Sequence, residues 1–456
     1  MTAKGTTRRG FLRQAGIAAA GAVGFPYIVK SSALGLAGQV APSERIVMGC
    51  IGLGGQGTYN LQNFMGQPGV QIAALCDVER ASNDYWGGDL RGWEPAKKLV
   101  EDYYAEKSPS GQYKGCAVYT DFRELLARDD IDAVTVCTPD HWHGLISVAA
   151  AQAGKDIYCE KPLANTVAEG RAVCKAVKRY GRILQTGSHE RSRDNARYAC
   201  ELVRNGRLGK LHTIRVNLPV EEPHHKWILQ NDVAWEKMAV PEGFDYDTWL
   251  GPTPHEPYTR KRCHFWWRFI LNYGGGEMTD RGAHVIDLAQ LGNDTDATGP
   301  VEIEGHGKQP GRGLFDAFMD YQFELTYADG VGLFGRNEGP RGVKFEGSAG
   351  WVFIHVHGGN LEAQPPALLQ EIIGPEELHL GRSRGHQENF IETVRTRRET
   401  LAPAEVGHRT GSICHLVNIA MLLGRKLKWD PVKEEIVNDP EADRMLARPM
   451  RSPWSL

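Results

Sequence analysis

With 456 residues, 41% apolar and 24% charged, the chain is too long for one ordinary domain and too apolar for wholesale disorder. Its 53 Lys and Arg against 56 Asp and Glu give −3; five of the positive charges and no acid fall in the first 33 residues, which leaves −8 on the remaining 423. A mildly acidic body offers no surface for tracking phosphates and argues against nucleic acid as partner.

In chain order, Thr7-Arg8-Arg9-Gly10-Phe11-Leu12-Arg13 precedes a weakly apolar Ala/Gly-rich stretch from Ala15 to Val29, then Ser31-Ser32-Ala33 as a small-residue cleavage site. Twin arginines in that setting predict a Tat export signal over 1–33, the Tat translocon as a transient partner and a periplasmic destination. Diluted by glycine and broken at Pro26, the stretch is too short to span a bilayer. Nine cysteines show no C-x-x-C pair, the usage of a chain folded under reducing conditions. Tat export of an already folded protein accommodates that usage.

Strand-like runs at Arg45–Gly54, Val70–Asp77, Ile131–Cys137 and Lys155–Cys159 alternate with helical patterns at Thr58–Met65, His143–Ala153 and Val167–Tyr180. That alternation predicts parallel βαβ units with helices on both faces, over 44–165. Residues Asp84 to Lys114 read as an insertion with a helix near Lys97–Tyr104. From Leu211 onward, alternating segments at Leu211–Leu218, Val301–Gly305, Asp316–Thr326, Gly330–Gly335, Val343–Glu346 and Val352–Val356 predict one large, mostly antiparallel sheet. The second domain is thus placed at 166–430, with a helical tail over 386–430 and an extension over 431–456. The fold class is α/β: a doubly wound parallel sheet followed by an α/β domain with an open sheet.

Gly52-x-Gly54-x-x-Gly57 ends the first strand and opens a helix, and Asp77 ends the next strand. This spacing suits a dinucleotide: one glycine for the turn, one for close approach to a pyrophosphate, and a carboxylate for the ribose hydroxyls. Leu53, Gly55 and Gln56 belong to the same loop. Asp77 favours NAD, and Arg80 nearby leaves NADP open. Thr138-Pro139-Asp140-His141-Trp142-His143 and Glu160-Lys161-Pro162 follow two later strands, at the ends where open α/β sheets bind ligands. In Gly274-Gly275-Gly276-x-x-x-Asp280-x-Gly282-x-His284 a helix places Asp280, His284 and Asp287 on one face. One reading is acid/base, with a carboxylate holding the His284 ring; another is a divalent metal bound by histidine and carboxylates. The reading carried forward assigns no metal.

These motifs, in this order, resemble the Gfo/Idh/MocA oxidoreductase family across about residues 44 to 430. The resemblance implies a Rossmann domain, an open sheet that often mediates homo-oligomers, and nicotinamide chemistry on sugars, polyols or their derivatives. By the family's pattern Lys161, Asp280 and His284 are the catalytic set, with Thr138, Pro139, His141, His143, Glu160 and Lys161 beside the cofactor. His189 stands where many members carry Asn or Gln and is assigned to both cofactor and substrate. Trp266, from the Trp266-Trp267 pair, is a candidate sugar platform, as is His224-His225-Lys226-Trp227. Asp245 to Pro252 and Val406 to Arg409 resemble an exported bacterial subgroup. The leading expectation is a sugar or polyol oxidoreductase with a tightly held cofactor. Its rivals are a cofactor-retaining glycoside-cleaving enzyme and a non-catalytic sugar-binding sensor.

Overall fold

The computed structural model describes residues 44–108, 110–219, 223–230, 236–311 and 313–456. The predicted export signal lies outside them. Strands β1 (Ile46–Ile51), β2 (Val70–Cys76), β3 (Ala117–Tyr119), β4 (Ala133–Val136), β5 (Asp156–Cys159) and β6 (Leu184–Thr186) form one sheet in the order β3-β2-β1-β4-β5-β6. Every pairing in it is parallel. Helices cover both faces, so β1 and β4 are apolar runs rather than alternating ones. Order reverses between β1 and β4, and the segments that leave these two paired strands flank a crevice at their carboxyl ends.

Two expectations change here. The segment read as an insertion contains the crossover helix Trp93–Glu106, which delivers the chain to β3 at the sheet edge; only the loop before Trp93 departs from the βαβ pattern. β3 has three residues, too few to show a period. The first domain also runs past 165, because β6 pairs with β5.

The second sheet comprises β7 (Leu211–Asn217), β8 (Glu302–Lys308), β9 (Asp320–Thr326), β10 (Gly332–Arg336), β11 (Gly342–Gly347), β12 (Gly350–His355), β13 (Leu361–Gln364), β14 (Leu427–Asp430) and β15 (Glu435–Ile436). Its order is β13-β12-β11-β7-β10-β9-β8-β14-β15, antiparallel except at β7–β10. β9 alternates cleanly: Tyr321, Phe323 and Leu325 are buried, while Asp320, Gln322 and Glu324 are exposed. The buried face packs on helices Arg281–Gly292 and Ala404–Leu423, joining Val285, Leu288, Ile413 and Leu416 in one core. Each such side chain taken from water stabilises the domain by about 1.5–3 kcal/mol.

The predicted helical tail is two helices, His386–Thr396 and Ala404–Leu423, followed by β14. Residues 431–456 are no appendage. β15 pairs with β14, Arg448 is ion-paired with Glu169, and the Arg451 guanidinium donates to the Gly251 carbonyl. Between the sheets an aromatic cluster, including Phe244, Trp249, Trp266, Trp267 and Phe315, forms a largely strandless cap.

Candidate active site

The crevice at the carboxyl ends of β1 and β4 opens into a cavity of about 370 Å3. Gly52 turns the chain out of β1 at φ +84°, and a side chain there would lie 2.6 Å from the Cys137 backbone. Helix Gly55–Met65 follows with no side-chain cap and no acid in its first turn. Its positive end therefore faces the cavity through Gly52, Leu53, Gly54, Gly55 and Gln56. A Cβ on Gly55 would meet nothing within 4 Å, which leaves the backbone open to a ligand. Gly57, counted with the other glycines as a cofactor residue, packs helix against strand. It does not line the cavity, and its Cβ would lie 2.0 Å from the Gly52 carbonyl oxygen, so it permits helix and strand to touch.

Asp77 ends β2 and accepts from the Leu53 and Glu79 N–H groups. Desolvation pushes its carboxyl up to about 6, against the pull of those donors. Beside it desolvation, then the Asp77 charge, pushes Glu79 up to about 7. Arg80 points elsewhere, paired with Glu94 at 3.1 Å. The ribose end of the crevice is therefore acidic. Uncapped helix amides, open glycine backbone and a carboxylate acceptor fit a dinucleotide.

At the other end, Thr138 and Pro139 after β4 and Glu160 and Lys161 after β5 line the cavity. Glu160 accepts from Asn60 Nδ2 at 2.8 Å and Gln56 Nε2 at 3.2 Å. Lys161 Nζ donates to Asp280 Oδ1, and to the Asp280 carbonyl at 3.1 Å. Arg268 Nε lies 3.4 Å from Asp280 Oδ2. Burial opposes the Asp280 charge, but Lys161 and then Arg268 hold its carboxyl well below the usual range. One turn into the following helix, His284 is buried, and burial, followed by Lys161, keeps its imidazole well below the ordinary histidine range. Its Nδ1 has no hydrogen-bond partner among the described residues. His189 completes this end, 4.6 Å from the His284 ring centre.

The one-face stripe divides. Asp280 turns to Lys161, whereas Asp287 accepts from Arg191 Nε at 2.7 Å and Thr410 Oγ1 at 3.2 Å, so neither carboxylate of the stripe holds the His284 ring. Two further assignments move. His141 is buried away from the cavity, its Nε2 2.8 Å from the Trp249 carbonyl oxygen. His143 lines the cavity, but its ring nitrogens face the Pro162 and Thr138 carbonyls, which bind the two loops together. Trp266 is also displaced: it packs on Trp86, Trp227 and Phe315, and its neighbour Trp267 reaches the cavity instead. In the histidine segment, His225 is buried 3.0 Å from Glu277, and the His224 side chain lies outside the described residues.

Several lining residues escaped the sequence reading. Asp140, in the first turn of its helix, is pushed well above the usual carboxylate range by burial despite Lys161. His357 comes from the turn between β12 and β13, with no spacing signal to tie it to the other motifs. A strap from Glu79 to Gly92 crosses the cleft to the cap: Trp86 stacks on Phe265 at 4.9 Å, Tyr85 meets His264 at 4.7 Å, and Asp84 pairs with Arg260. Backbone contacts join Arg80 to Gly243 and Glu79 to Phe244. Tyr85 sits directly over Gly54, 2.8 Å from where a Cβ would be.

A glycine cradle, an acidic pocket and a Lys–Asp–His group in one cavity define the class: a dinucleotide-binding Rossmann domain joined to an α/β domain. Residues 46–188 match the oxidoreductase family's NAD-binding Rossmann fold, and residues 195–456 its C-terminal alpha/beta domain. The chain belongs to the Gfo/Idh/MocA oxidoreductase family. It is 31% identical over 253 residues to an alpha-N-acetylgalactosaminidase of Shewanella oneidensis, a match covering 51% of this chain and 48% of that protein. The chain spans between 35% and 64% of the length of the curated relatives it matches. Among solved structures it resembles aldose-aldose oxidoreductase from Caulobacter crescentus, with TM-score 0.58, 22% identity, and 84% of this chain and 99% of that one covered. It also resembles the WlbA dehydrogenase from Bordetella pertussis in complex with NADH and UDP-GlcNAcA, with TM-score 0.59, 16% identity and 85% and 99% coverage.

Proposed function

We propose that the protein is an NAD-dependent oxidoreductase acting on a carbinol or carbonyl carbon of a sugar, cyclic polyol or sugar derivative, with a cofactor it retains. The observation that carries this reading is the Lys161–Asp280–His284 group in the same cavity as the glycine cradle and Asp77. A nicotinamide cofactor bound there would supply hydride transfer to or from the substrate carbon. The helix amides from Gly55 onward would hold the pyrophosphate, and Asp77 would accept from the ribose; two carboxyls there disfavour a 2′-phosphate.

The ammonium of Lys161, oriented by Asp280, stabilises negative charge on the reacting oxygen. In the oxidative direction the substrate hydroxyl proton goes to the lone pair of the neutral His284 imidazole, and Trp267 with Phe265 supplies apolar walls for the substrate ring. The strap over Gly54 favours retention of the nucleotide. That suits export by the Tat route, since the periplasm is not expected to offer a free nicotinamide pool. The exposed face of the second sheet, where Phe334 stands beside charged neighbours, suits a homo-oligomer contact.

The galactosaminidase relative supports a second reading, glycoside cleavage by oxidation, elimination, hydration and reduction around one retained nucleotide. Denaturing the purified mature protein and measuring nucleotide by mass tests the first reading. Near-stoichiometric NAD is expected, followed by turnover on a polyol or sugar-pair panel. A protein that carries no nucleotide and binds neither NAD nor NADP would refute it. Release of aglycone from a glycoside with no net nucleotide reduction would favour the second.

A further inference from the structure

We propose that His189, His284 and His357 form a binding site for one divalent first-row transition-metal cation at the substrate end of the cavity. A ligand nitrogen from each lies within 4.8 Å of the others. The three arrive from separate elements: the 3-10 turn His189–Ser192 after β6, the helix Arg281–Gly292, and the turn between β12 and β13. Their ring centres stand 4.6, 5.0 and 5.5 Å apart. A tetrahedral cation with Zn–N bonds of about 2.1 Å would set imidazole centres about 5 Å apart, the spacing found.

Two details favour a ligand over mere packing. His284 is buried with its Nδ1 unpartnered, a costly state for a polar atom unless something else compensates it. His357 holds a left-handed conformation, φ 66°, at a turn that continues through Gly358 and Gly359. That backbone favours glycine, so the imidazole is retained there at a conformational cost.

An all-imidazole set selects zinc-like cations over magnesium or calcium. Three protein ligands leave a position open in the cavity that Lys161 and Asp280 also line. A cation there, expanding to five-coordinate, would hold two adjacent oxygens of a polyol, narrowing the substrate class to vicinal diols and hydroxy-ketones. That last step rests on the oxidoreductase reading; the cation site does not. A nitrogen that ligates the cation cannot also accept a proton, so His284 is proton acceptor only in the cation-free protein.

The full chain, stripped with chelator, is titrated with Co2+ and followed by visible absorption and metal content. One Co2+ per chain with ligand-field bands, displaced by Zn2+, is expected. His357→Ala, shown to be folded by its thermal transition, should weaken binding about 100-fold or more; His189→Gln serves if His357→Ala does not fold. His306→Ala, an exposed histidine on β8, should bind as wild type. Absent bands, unchanged binding in a triad variant, or equal loss in His306→Ala would overturn the site. Band shifts on adding a vicinal diol but not its monodeoxy analogue support the substrate step, and unshifted bands overturn it. Nucleotide content on the same samples separates the two proposals. Nucleotide without bands overturns the cation site alone, and bands in protein that takes no nucleotide overturn the oxidoreductase reading alone.

Discussion

Lys161→Met keeps the length of the side chain and removes its ammonium. In the structure that ammonium donates to the Asp280 carboxylate and to its main-chain oxygen, with the lysine side chain 14% exposed and the aspartate side chain 22% exposed. Arg268 remains 3.4 Å from Asp280, so the carboxylate keeps one cation and the fold loses about 1.5–3 kcal/mol, the scale of a hydrogen bond to a charged group. The loss at the reacting oxygen is larger. Removing a preorganised donor from developing negative charge costs about 2.7–4 kcal/mol, or roughly 100- to 1,000-fold in kcat. The cradle at Gly52 to Gln56 and the acceptor Asp77 are untouched, so nucleotide content should match wild type.

The assay is single-turnover reduction of bound nucleotide, using the best substrate from a polyol and sugar panel, with nucleotide content measured on the same preparation. A variant that turns over at the wild-type rate would refute the role given to Lys161. A variant whose nucleotide content falls in step with its rate would show that the lysine acts on the cradle instead.

Asp77→Asn should weaken NAD about tenfold. In the wild type, affinity should rise as pH passes from 5 to 7 through the Asp77 value of about 6, because the ribose hydroxyls need the ionised carboxylate; the variant should lose that rise in calorimetric titrations. The linkage to stability has the opposite sign. A carboxyl raised from 3.8 to about 6 in the folded state holds its proton better there than when unfolded, so its contribution to nucleotide-free stability declines as pH rises from 3.8 to about 6 and is lost above that, as urea midpoints would show. Trp86→Ala removes the stack on Phe265 and should speed nucleotide release without abolishing turnover; an unchanged off-rate would count against the strap. Arg191→Met leaves the buried Asp287 with Thr410 as its remaining side-chain partner and should destabilise the domain by about 3–5 kcal/mol, read from denaturant unfolding.

Local pattern carried the reading wherever function needs a run of neighbours. The glycines from Gly52 to Gly57, the apolar strands with Asp77 at one end, and the Glu160-Lys161 pair at a strand terminus are contiguous features. Their chemistry follows from backbone conformation and strand ends, and the alternation in β9 likewise announced which face would be buried. Trp266 and Trp267 show where such reading stops. They are adjacent and alike, yet Trp267 reaches the cavity while Trp266 turns into the aromatic cap, an outcome set by which ring Trp86 and Phe315 can enclose.

Asp280 and Asp287 part company for the same reason. A shared helical face says where side chains start, but the partner cations, Lys161 for one and Arg191 for the other, come from distant strands and turns. His357 had no motif to reveal it, because only the register of β12 against β11 and β13 carries its turn to His189 and His284. The sequence alone determined the two-sheet α/β class and the dinucleotide cradle, since periodicity and turn chemistry are properties of neighbouring residues. Tertiary structure decided which side chains share the cavity, since burial and charge pairing act between residues that only the folded chain brings together.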